Sequence, residues 1–179
     1  MGDSKPRRIE ERLARGLLLA LMLLALAAVQ TTLLPRPLGF PLNLVLIVTI
    51  CQALLVGLSP ASRWAFLGGL ALDFCSASLL GTHALALLAA VFAASVPLAR
   101  MSRENWLLPL LGALFGAAGY YAALGVLTFV FDGALDLRAF LLVAALPDTL
   151  ATLIPALPLF LLWRAWRSRR RGEVPVDVY

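Results

Sequence analysis

Six long apolar runs, divided by short gaps that carry most of the charges, organise this sequence. A helix rises 1.5 Å per residue, so about 20 apolar residues cross a hydrocarbon core roughly 30 Å thick. In that medium only helices and closed barrels satisfy their own backbone groups. The first run covers residues 16–34 and is closed by Pro35 and Pro37; the second covers 41–58, closed by Ser59 and Pro60. The third, 62–79, is the least hydrophobic and contains Asp73, and the fourth, 83–99, ends at Arg100. The fifth, 106–131, is long enough to tilt in the bilayer, and the sixth, 137–163, is interrupted by Pro147, Pro155 and Pro158. None alternates apolar with polar residues as a barrel strand does.

Composition agrees with the pattern. Hydrophobic residues make up 61% of the chain and charged residues 14%, with a mean hydropathy of +0.91; a soluble domain carries about 25% charged residues. The expectation is an all-α integral membrane protein of six transmembrane helices, with a basic segment at 1–15, a helical domain at 16–163 and a basic tail at 164–179.

Basic residues are retained on the cytoplasmic side of a membrane. With the N-terminus inside, that side receives Lys5, Arg7, Arg8, Arg12, Arg15, Arg63, Arg100, Arg103, Arg164, Arg167, Arg169, Arg170 and Arg171, while only Arg36 and Arg138 fall outside. Both termini are therefore expected in the cytoplasm, where anionic lipid holds the basic tails. The net charge of +5 reads as topology. It does not signal nucleic acid, because the run 169–171 has neither an aromatic platform nor a folded module beside it. The segment Ala25-Leu26-Ala27 resembles a signal-peptide cleavage site, but the apolar run continues past it to Leu34, which favours an uncleaved helix.

Catalytic signals are sparse. Cys51 and Cys75 both fall inside apolar runs, His83 is the one histidine, and no Cys/His spacing makes a metal site. No phosphate-cradling loop or nucleophile elbow occurs, so no cofactor is expected and no enzyme activity. The segment 132–138, DGALDLR, lacks the later aspartates of a phosphotransferase motif and reads as a polar turn. Intramembrane aspartyl proteolysis is rejected because Asp73 lies in Leu72-Asp73-Phe74, without a Gly-x-Gly-Asp setting.

Two acids remain inside apolar runs. Asp73 lies ten residues past Arg63 and Asp148 ten past Arg138, so each is expected about 15 Å deep, near the midplane. A charge there costs about 2.5 to 3.5 kcal/mol and normally finds a partner. The two could meet and share a proton, or be satisfied separately. Asp73 has Gly69 and Ser76 on its own helix face, and Asp148 follows Pro147, which frees the carbonyl of Val143. In the fifth run Gly112, Gly116, Gly119 and Ala123 form a small-residue face, suited either to internal packing or to docking of another membrane helix. Trp106 and Trp163 stand at run ends as interfacial anchors.

The stretch 68–85, GGLALDFCSASLLGTHAL, with its glycine pair, Asp73, Ser76 and then Leu80-Gly81-Thr82-His83-Ala84-Leu85, resembles the central signature of the rod shape-determining protein MreD family. Chain length, run count and basic termini fit as well; many members have Pro-Leu-Gly where this chain has Leu79-Leu80-Gly81. The resemblance implies a non-enzymatic inner-membrane component of the bacterial elongation machinery. Such a protein works with single-span MreC and through it with RodA and its penicillin-binding partner, and with MreB. It also implies a fold similar to the substrate-binding subunits of energy-coupling vitamin importers. On that reading Gly69, Asp73, Ser76, Gly81 and His83 shape the third helix and the turn after it. The alternative is a small-ligand subunit of such an importer, whose outer pocket would have to be built from Gln30, Asn43, His83, Tyr120 and Tyr121.

Overall fold

The computed structural model describes residues 9–32, 42–76, 78–101, 105–133 and 136–171. These form α1 (Ile9–Thr32), α2 (Leu44–Val56), α3 (Leu58–Ser76), α4 (Thr82–Leu98), α5 (Leu107–Asp132), α6 (Leu137–Ala139), a π-helical turn (Phe140–Ala145) and α7 (Leu146–Arg171). The last three follow one another without a break. No strand occurs among the described residues, and the chain is a helical, membrane-embedded protein.

Ten of the thirteen residues of α2 are buried. A helix apolar on all sides belongs at the centre of a bundle, and α2 packs against α1, α3, α4, α5 and α7. Those five form an arc around it in which α1 packs on α3, α3 on α4, α4 on α5 and α5 on α7. The arc stays open between α7 and α1, which lack extensive backbone packing. Trp64 of α3 and Trp163 of α7 meet edge to face there, 5.6 Å between ring centres, so Trp163 is a packing residue.

Three segments are long and apolar enough to cross a membrane: Leu13–Thr32, Leu107–Phe131 and Leu137–Arg167. Helices α2 and α4 are apolar but shorter, with 13 and 17 residues, about 20 and 26 Å at 1.5 Å per residue. The expected boundary at Ser59 and Pro60 is displaced. Helix α2 stops at Gly57, whose φ of +123° suits a residue without a Cβ, and α3 starts at the next residue with Pro60 in its first turn. Pro35 and Pro37 lie outside the described residues. The tripeptide Ala25-Leu26-Ala27 sits within α1, where Leu23 and Ala27 are fully buried.

Nor does proline break the sixth run. Pro147 cannot donate an N–H, and the helix accommodates it by widening just before it. The Leu146 N–H bonds to the carbonyl of Leu141, five residues back. Pro155 and Pro158 lie inside α7, which continues to Arg171.

The small-residue face of α5 is already occupied. A Cβ at Gly112 would run into Leu54, one at Gly116 into Ile50, and one at Gly119 into Ala93 and the Ala89 carbonyl; Ala123 packs partly buried against the core. The glycines let α2 and α4 approach, so this face is not a surface for a partner helix. In the segment 132–138, Gly133 closes α5 and Asp136 caps α6, its Oδ1 accepting from the Arg138 and Ala139 N–H groups at 3.1 Å.

Candidate functional site

Asp73 lies one turn from the end of α3, not midway along a continuous span, because the helix stops at Ser76 and the chain folds back over the carboxylate. It is 2% exposed. The Ser78 hydroxyl donates to Oδ1 at 3.0 Å, the Gly81 N–H to Oδ2 at 2.8 Å, and the His83 N–H to Oδ1 at 2.9 Å. All three groups donate, so the carboxylate acts purely as an acceptor.

This geometry explains the spacing of the motif. A helix begins with N–H groups that have no partner in the helix itself, normally satisfied by a capping side chain. The cap position of α4 is Gly81, which has no side chain to offer and takes a φ of +96° that other residues avoid. Asp73 supplies the cap from the neighbouring helix and places negative charge at the start of α4, where the helix dipole favours it. Gly69, one turn earlier on α3, makes the approach possible: a Cβ there would overlap the backbone of Ala84 and His83. Ser76, by contrast, does not reach Asp73. Its hydroxyl donates to the Leu72 carbonyl at 2.6 Å and contacts Ser78 at 3.2 Å.

From the start of α4 the polar contacts run on through the bundle. The Tyr120 hydroxyl of α5 bonds to His83 Nδ1 at 2.7 Å, with the rings nearly parallel. Asn43 caps α2, accepting from the Leu46 N–H at 3.0 Å, and Gln30 of α1 accepts from the Val45 N–H at 3.1 Å while its amide nitrogen stands 3.5 Å from Asn43 Oδ1. Tyr121 completes an aromatic edge, T-shaped against both Tyr120 and Phe140. Gln30 and Asn43 thus join α1 to α2, and Asp73, His83 and Tyr120 join α3, α4 and α5; α2 and α4 are both capped by these side chains.

Asp148 is 3% exposed on α7, and its Oδ1 has no hydrogen-bond partner among the described residues. It does not pair with Asp73, whose oxygens are engaged by the turn. Its own backbone carbonyl accepts from Thr152 at 2.7 Å. No group of three His, Cys, Asp or Glu gathers as a metal site among the described residues.

Ser78 carried no signal in the helical spacing, because the chain has left the helix before reaching it. Asn43, near the start of the run 41–58 and directly before Leu44, matches the pattern of a helix N-cap. The surface also bears a groove of about 660 Å³ between α5 and the α6–α7 rod, lined by Ala118, Ala122 and Gly125 on one wall and Phe140, Leu141 and Ala145 on the other. No family model matches this chain, and neither a curated protein nor a solved structure matches it.

Proposed function

We propose that this chain is a six-span scaffold of the MreD type in the bacterial inner membrane, with both termini cytoplasmic. It has no chemistry of its own. It holds the membrane helix of MreC and so positions the elongation complex, including RodA and its penicillin-binding partner, for peptidoglycan synthesis and cell shape. The observation that carries this reading is the groove between α5 and the α6–α7 rod. From Leu114 to Phe129 it follows α5 for sixteen residues, a rise of about 22 Å, most of the hydrocarbon thickness. Its α5 wall repeats small residues at Ala118, Ala122 and Gly125, the spacing that lets a second helix approach closely. Apolar exposure alone is ordinary for a protein in lipid; a concave, helix-length face is not required by lipid.

The motif around Asp73 supports the same reading, because its polar groups are consumed in fixing helix ends. The importer alternative needs the outer polar residues to face a ligand, whereas His83 and Tyr120 bond to each other and Asn43 and Gln30 bond to the start of α2. The test is co-purification of the MreC membrane helix in mild detergent with wild type and with an Ala122→Trp variant. Loss of capture in a folded variant is expected. Capture unchanged by the variant would remove the groove from the interface.

A further inference from the structure

The seam between α1 and α7 widens near the Arg-rich end of α7 into a second groove, of about 620 Å³. Met22 of α1 and Leu159 and Leu162 of α7 give it apolar walls, and the Gln52 amide of α2, 8% exposed, lines its floor. Arg167 lines its mouth, and three of the four tryptophans of the chain, Trp64, Trp163 and Trp166, surround it.

Two features select the occupant. Leu159 to Arg167 is nine residues of α7, a rise of about 12 Å, close to the roughly 15 Å of hydrocarbon in one leaflet. A spanning helix needs twice that, so the depth suits a molecule confined to one leaflet. Charge selects its headgroup. A guanidinium stands at the mouth, Arg164 lies one turn away on α7, and Arg15 and Arg63 sit at the same end of α1 and α3, with Arg15 standing 3.9 Å from Glu11. Guanidinium groups match phosphate geometry, and basic pockets between membrane helices receive anionic headgroups.

We propose that this groove binds one anionic diacyl phospholipid from the leaflet at the chain's basic end. An acyl chain lies along Met22, Leu159 and Leu162, the phosphodiester meets Arg167, and the Gln52 amide, one turn from the end of α2, donates to an ester carbonyl. The lipid closes the arc of helices at the position where protein packing does not.

The tryptophans supply the readout. In a Trp106→Phe background every remaining indole borders the groove, so the full chain in vesicles containing brominated phosphatidylglycerol or brominated phosphatidylcholine at equal mole fraction reports occupancy by quenching. Phosphatidylglycerol is expected to quench more strongly. Arg167→Gln should lower the apparent preference by about fivefold, the worth of one basic residue at a membrane surface, while Arg167→Lys retains most of it. Equal quenching by the two lipids would overturn the proposal, as would a preference indifferent to Arg167→Gln. So would competition by soluble glycerol phosphate, which lacks the acyl chain, or disulfide cross-linking between two Leu162→Cys copies in dilute vesicles, which would put a second copy in the groove.

Discussion

Replacing Asp73 with alanine removes the acceptor for three hydrogen bonds, from Ser78, Gly81 and His83, at a site 2% exposed. Side-chain hydrogen bonds inside membrane proteins average about 0.6 kcal/mol, so the three together contribute at least about 2 kcal/mol. Two of the donors are backbone N–H groups at the start of α4. Each N–H left unsatisfied costs about 1 to 3 kcal/mol, which raises the upper end to about 6 kcal/mol. Asp73→Asn is an informative intermediate. The amide keeps one oxygen for Ser78 and His83 but turns an NH2 group on the Gly81 N–H, donor against donor, at an expected cost of about 1 to 3 kcal/mol. Reversible unfolding in mixed micelles titrated with a denaturing detergent measures both values. The expected order of stability is wild type, then Asn, then Ala. An alanine variant within about 0.5 kcal/mol of wild type would refute the capping role.

Asp148→Asn should behave oppositely to Asp73→Asn, leaving stability unchanged or raised in the same titration, because Asp148 Oδ1 has no partner among the described residues to lose. Gly69→Ala should prevent accumulation of folded protein, since the added Cβ meets backbone, whereas Gly116→Ala should cost only about 1 to 3 kcal/mol because it meets the movable end of Ile50; membrane yield and unfolding midpoint separate the two. Tyr120→Phe should cost about 1 to 3 kcal/mol by leaving His83 Nδ1 without its hydroxyl partner, and a double-mutant cycle with His83→Phe should show coupling of at least about 0.5 kcal/mol.

Hydrophobic patterning made the long helices legible. The run 106–131 became α5 within a residue at each end, and 83–99 became α4 within one, because both are bounded by a clear polar gap. Patterning failed at Ser59 and Pro60, where proline fits a first helical turn as well as it ends a helix, and the turn is set by Gly57. It also failed at Pro147, whose missing N–H is absorbed by a π-turn that apolar periodicity does not encode.

The candidate site was legible in its residues and, through the resemblance, in the helix end and turn they shape, but not in the contacts that shape them. Gly69, Asp73, Gly81 and His83 are joined in one structural unit, but depth arithmetic from Arg63 treated the third span as continuous, and so offered Asp148 or the same helix face as partners for Asp73 and not the turn that follows it. Spacing on one helix cannot show a contact made after the chain reverses. The glycines of α5 illustrate the same limit: a small-residue face signals close approach, and the identity of the approaching helix, here α2 and α4 of the same chain, emerges only from tertiary packing.

The most direct test of the scaffold reading is site-specific photo-cross-linking in cell membranes, with the photoreactive residue at Ala122 in the α5 groove and, as control, at Phe92 on the exposed side of α4. Docking in the groove predicts an adduct with MreC from position 122 and none from position 92. Adducts from 92 alone, or from neither position while both variants accumulate in the membrane, would contradict it.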